Sequence, residues 1–153
     1  MRGVYRVTGT RATVTTGVTL CVLSTPAGRA IEILSARVST DDAAATSEQM
    51  IVELNRGGTT PTGGTSGFTG KPTEEGSTTT VVTAYIGVTG GFVFDADVDA
   101  IARSSANKLA GWEYVPMPEE RPIIAVSDFI GLKTDSTIAS SSLSFEITYR
   151  ELG

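Results

Sequence analysis

Ser142-Leu143-Ser144-Phe145-Glu146-Ile147-Thr148-Tyr149 is the most regular stretch of the chain, and its reading decides the fold. Leu143, Phe145, Ile147 and Tyr149 alternate with Ser144, Glu146 and Thr148. A period of two places one set inward and the other outward on a half-buried β-strand. The pattern recurs toward the N-terminus, with candidate strands at residues 4–7, 12–15 and 18–24. In 30–39, Ile31 and Ile33 share a face with Ser35, while Leu34, Ala36 and Val38 take the other. That strand is expected to be apolar on both faces and therefore central. Met50, Val52 and Leu54 lie opposite Glu53, again a half-buried strand. Residues 79–85, 92–94, 110–115, 123–126 and 129–133 complete the set. Short strands separated by turn signals every ~8–15 residues, with no long amphipathic helix, predict an all-β fold. The expected architecture is a single-domain antiparallel β-sandwich, jelly-roll-like, spanning residues 1–153. No internal repeat points to a propeller or solenoid.

Three segments interrupt the alternation. Residues 57–77 are dominated by Gly, Thr and Pro, with Phe68 the only aromatic. Such a stretch buries too little apolar surface to be rigid alone and is expected to be a long flexible loop, ordered by a partner. Residues 95–107 fit a short helix and a loop equally well and are expected to be irregular. Residues 116–122 hold three prolines, which remove backbone donors and forbid a central strand, so an extended surface loop is expected.

Composition narrows the function. The chain of 153 residues carries no histidine and one cysteine, and roughly a quarter of its positions are Ser or Thr. The most frequent general base and metal ligand is thus missing, which favours a binding or building protein over an enzyme. A net charge of −5 without a basic stripe argues against nucleic-acid binding. No apolar run approaches a membrane span, and the N-terminal residues lack an apolar signal segment, so synthesis in the cytoplasm is expected. Cys21 has no partner for an internal disulfide and reads as a small buried side chain.

Candidate chemistry is sparse. Asp95, Asp97 and Asp99 alternate like the opening of a calcium loop, but the glycine and closing glutamate at the fixed offsets are absent, and a solvated acidic turn is the favoured reading. Glu119 and Glu120 are adjacent and point apart in an extended loop, so solvent exposure or a salt bridge to Arg121 is favoured over glycosidic acid-base work. The Gly57-Gly58 and Gly63-Gly64 pairs lack the Lys-Ser/Thr ending of a phosphate cradle. Lys71, Lys108 and Lys133 stand in no Ser-x-x-Lys arrangement, and without histidine a nucleophilic serine would need a lysine or the N-terminal amine as base. Trp112 and Tyr114 share one face and suit either core packing or a stacking surface.

The segment Gly111-Trp112-Glu113-Tyr114-Val115-Pro116-Met117-Pro118-Glu119-Glu120-Arg121-Pro122 and the ending Phe145-Glu146-Ile147-Thr148-Tyr149-Arg150-Glu151-Leu152-Gly153 resemble small virion-associated proteins of tailed bacteriophages. The opening Val4-Tyr5-Arg6-Val7-Thr8 and the middle loop after Asn55-Arg56-Gly57 fit the same group. The resemblance implies a capsid decoration or cement protein, located on the virion surface, that clamps neighbouring major capsid protein subunits. It implies a homotrimer; the residues themselves assign no cofactor and no metal ligands, a cation at Asp95, Asp97 and Asp99 staying open. The expected contact elements are an N-terminal arm at residues 1–8, the 57–77 loop and the 116–122 loop. The candidate interface residues are Tyr5, Arg6, Phe68, Lys71, Trp112, Tyr114, Glu119 and Arg121. Two rivals remain: a tail or head-fibre module binding host-surface carbohydrate, which needs exposed aromatics on one rim, and a carbohydrate-active enzyme, which needs converging carboxylates in a cleft.

Overall fold

The structure, a computed structural model, describes residues 3–14, 17–41, 47–57, 60–73, 79–88, 100–134 and 140–153. The strands are β1 (Val4–Val14), β2 (Val18–Ser24), β3 (Ala30–Thr40), β4 (Gln49–Arg56), β5 (Thr65–Thr69), β6 (Lys71–Pro72), β7 (Thr83–Ile86), β8 (Ala100–Asn107), β9 (Trp112–Tyr114), β10 (Ile123–Ile124), β11 (Phe129–Thr134) and β12 (Ser141–Leu152). Sheet A runs β10-β3-β12-β1-β6, with β9 pairing β3 beyond the end of β10, and sheet B runs β5-β7-β2-β11-β4-β8. Among the described residues a single 3-10 turn at Pro118–Glu120 is the only helical element. Among the described residues no helix is long and apolar enough to cross a membrane.

The pairings are nested. β1 pairs β12, β2 pairs β11, β3 pairs β9 and β10, and β4 pairs β8, all antiparallel. A chain folded as one long double ribbon and then wound so that successive pairs alternate between two sheets gives this order, which is the jelly roll. The sandwich is therefore the expected one. β5, β6 and β7 extend it, adding β6 beside β1 and the β5-β7 pair beside β2.

One apolar cluster fills the space between the sheets. Leu143, Phe145, Ile147 and Tyr149 of β12 are buried there, as their alternation predicts, against Leu20, Leu23, Met50, Val52, Leu54, Ile130 and Leu132 of sheet B. Each such side chain contributes roughly 1.5–3 kcal/mol on burial.

Four expectations change. β3 lies inside sheet A but is not apolar on two faces: the ladder to β12 slips between Thr148 and Tyr149, so that Leu34 is the extra residue of a β-bulge. The bulge shifts the phase by one, and Ile31, Ile33, Ala36 and Val38 all join the same core. Residues 4–7 and 12–15 are not separate strands, because β1 runs from Val4 to Val14 across a slip between Arg11 and Val14. The N-terminal residues from Val4 onward are thus a paired strand rather than an arm. The 57–77 segment contains β5 and β6, which borrow ladders from β7 and β1 and so need no core of their own. Residues 100–107, expected to be irregular, form β8 on the edge of sheet B, while Asp95, Asp97 and Asp99 lie outside the described residues.

Candidate functional site

The β8-β9 connection crosses from sheet B to sheet A and builds an open edge. Its turn is tight: the Ala110 and Gly111 amides both donate to the Asn107 carbonyl, each at 3.0 Å. Gly111 has φ +76°, and a Cβ there would sit 2.9 Å from the Val38 carbonyl oxygen, so only glycine fits. Lys108, in the same turn, is buried and donates to Glu48 Oε2 and Ser141 Oγ, each at 2.8 Å, which ties the turn to the start of β12. Trp112 follows as the first residue of β9. It is 7% exposed, and its indole Nε1 donates to Ser104 Oγ of β8 at 2.6 Å, joining the two sheets at this edge.

Tyr114 stacks on Trp112 with centroids 6.3 Å apart and an interplanar angle of 10°. Beyond it the proline segment leaves the sheet. Pro116 and Pro122 are buried, while Pro118, Glu119 and Glu120 face solvent. The Pro122 carbonyl accepts from the Ile33 amide at 3.0 Å, returning the chain to β10.

Between these elements lies a cleft of about 710 Å³. Tyr114, Glu119, Glu120, Arg121, Pro122 and Ile123 line it together with Arg56 and Ile101 of sheet B. Arg121 Nη1 lies 3.7 Å from Glu32 Oε1, and Arg150 Nε donates to Glu32 Oε2 at 2.7 Å. Arg56 Nη2 donates to the Ile123 carbonyl at 3.3 Å. Burial and the nearby Glu120 carboxylate push the Tyr114 phenol above its ordinary range. Met117 (68%), Val115 (63%) and Ile123 (55%), the last in the cleft lining, are well exposed apolar side chains. Exposed apolar side chains beside strands at a sheet edge are features of a partner-docking surface.

The candidate interface residues separate. Tyr114, Glu119 and Arg121 come together in the cleft. Arg6 and Lys71 are exposed cross-strand neighbours on β1 and β6, at the opposite edge of sheet A, with Arg6 Nε 3.5 Å from Glu146 Oε1. Two residues are not surface groups at all. Tyr5 is 1% exposed and stacks on Tyr149 at 5.7 Å, because its position on β1 faces the core. Trp112 is likewise a buried anchor, whereas Tyr114 is half-buried in the cleft lining. Phe68 belongs to β5, its side chain outside the described set. The exposed Val115, Met117 and Ile123 were missed as site residues, although an apolar run between prolines that cannot form a central strand is itself a signal of exposure.

A second cluster was also hidden. Glu53 and Asn55 sit on the polar side of β4, expected to face water, yet both are 0% exposed. Glu53 Oε2 lies 2.9 Å from Lys133 Nζ and accepts from Asn55 Nδ2 at 3.1 Å, while Oε1 lies 2.9 Å from Arg103 Nη1. Sheet B is thus covered on both faces, and Val22, Val88, Tyr85 and Phe129 form an apolar patch on its outer side. Among the described residues no group of three or more His, Cys, Asp or Glu is placed to hold a metal ion.

The fold and this edge define a jelly-roll sandwich with an open cleft at one edge. No known protein family matches the chain, and neither a curated protein nor a solved structure is similar to it.

Proposed function

We propose that this protein is a non-enzymatic structural component of a tailed-phage virion that binds the outer surface of the capsid and stabilises contacts between major capsid subunits. The observation that carries the docking reading is the cleft at the β8 and β9-β10 edges, lined by Tyr114, Glu119, Arg121 and the exposed Ile123, with exposed Val115 and Met117 in the adjoining stretch of chain. Apolar anchors inside a charged rim are the anatomy of a protein interface. The capsid as partner follows from the resemblance of residues 111–122 to virion-associated proteins. Burial of Trp112 takes away one of the rings a carbohydrate module at this edge would stack on, and Tyr114 is half-buried. A homotrimer belongs to the same proposal, and light scattering of the free protein tests it directly.

The deciding experiment mixes purified protein with particles lacking it and counts bound copies after sedimentation. Hundreds of copies per particle are expected. A few copies, or none, would overturn the capsid reading and direct attention to tail attachment.

A further inference from the structure

The outer face of sheet B holds an amine and a carboxamide on one shared carboxylate, the carboxamide and carboxylate fully buried and the amine mostly so. Lys133 of β11 stands directly opposite Glu53 of β4, and Gly131 stands opposite Asn55. Diagonal cross-strand neighbours lie within reach of a long side chain, and Gly131 leaves the ground between Lys133 and Asn55 clear. A single carboxylate oxygen, Glu53 Oε2, touches both Lys133 Nζ at 2.9 Å and Asn55 Nδ2 at 3.1 Å. Arg103 holds the other oxygen from β8, fixing the carboxylate in the sheet. Asn55 Oδ1 is buried and accepts no hydrogen bond. An ion pair alone would leave both the amide contact and the orphaned carbonyl oxygen without a purpose.

We propose that Lys133 and Asn55 join in an intramolecular isopeptide bond, with Glu53 as the acid-base group. Glu53 accepts a proton from the Lys133 ammonium, and the amine lone pair attacks Cγ of Asn55. Protonated Glu53 then donates toward the amide. The new Nζ–Cγ bond forms and the Cγ–Nδ2 bond breaks. Lysine loses two protons in all, the amide nitrogen gains two and departs as ammonium, and Glu53 ends as the carboxylate it began. Nothing is oxidised or reduced, and no co-reactant is needed. Fixed proximity supplies the acceleration, because the reacting groups are held by adjacent hydrogen-bonded strands. The bond would tie β4 to β11 in the middle of sheet B, independently of what the cleft binds.

Intact-mass spectrometry of the folded full chain tests this. The expected mass is lower than the sequence mass by one ammonia, about 17 Da. A tryptic digest should contain a branched peptide joining the Asn55 and Lys133 segments, with no cleavage after Lys133. Lys133→Arg keeps a cation against Glu53 and should show the full mass, as should Glu53→Gln. Full mass in folded wild-type protein after prolonged incubation would overturn the proposal. So would an ammonia deficit without the branched peptide, or one that persists in Lys133→Arg. If either variant fails to fold, the wild-type mass and peptide map still decide.

Discussion

Replacing Ser104 by alanine removes one hydroxyl and tests whether the β8-β9 edge is held by a bond between the sheets. Ser104 is exposed, whereas its partner Trp112 is 7% exposed, so the loss falls on the indole N–H rather than on the serine. A buried donor left without an acceptor costs about 1–3 kcal/mol, and partial access of water at this rim places the expected loss at about 1–2 kcal/mol. Trp112 is the only tryptophan, so its fluorescence during urea unfolding reports from the site itself. With a urea slope of about 1–3 kcal/mol/M, the midpoint should fall by roughly 0.5–1 M at unchanged slope. Trp112→Phe removes the donor and leaves the serine hydroxyl to water. The pair Ser104→Ala and Trp112→Phe, followed by circular dichroism, should therefore couple by about 1 kcal/mol. Additive effects, or a Ser104→Ala protein within about 0.3 kcal/mol of wild type, would refute the claim that this bond closes the sandwich edge.

Other consequences are equally direct. A Cβ on Gly9 would meet Phe145 Cζ at 2.6 Å and Ile86 Cδ1 at 3.2 Å, so Gly9→Ala should destabilise by about 1–3 kcal/mol despite its lower chain entropy, and Phe145→Leu in the same chain should relieve it; chemical denaturation of the double variant measures this. Burial pushes the Cys21 thiol from 9.0 up to about 12. Its unfolded counterpart ionises first as pH rises, so the stability linked to this thiol is complete below pH 9.0 and is lost toward 12, by about 1.4 kcal/mol per pH unit once the unfolded thiol has ionised. The stability difference between wild type and Cys21→Ala should shrink over that window, and a constant difference would contradict the burial argument. At the cleft, Met117→Asp with Ile123→Asp should leave unfolding within about 0.5 kcal/mol of wild type, since both side chains are exposed, while abolishing co-sedimentation with capsids.

Parts of this protein were legible in sequence because their surroundings leave a local trace. β12 packs on one face along its length, so its partners are recorded as strict alternation from Leu143 to Tyr149. Tyr114, Glu119 and Arg121 were named together because eight residues of chain contain all three. Other parts left no such trace. The bulge at Leu34 is set by which β12 residue each β3 amide meets, and that partner is more than a hundred residues away. Tyr5 looked like an arm residue until β12 fixed the face on which it lies. β5 and β6 have weak strand composition and exist because β7 and β1 offer them open ladders.

The sequence by itself determined an all-β chain, its winding into a sandwich, the inward face of its last strand and the exposed proline segment, because period, turn residues and proline chemistry act over a few neighbouring positions. Only the tertiary structure decided that Trp112 is an anchor, that Arg56 and Ile101 line the cleft together with Tyr114, and that Glu53, Asn55 and Lys133 share a site. Burial and contact across two sheets depend on register between distant strands, and one residue of slip exchanges inside for outside.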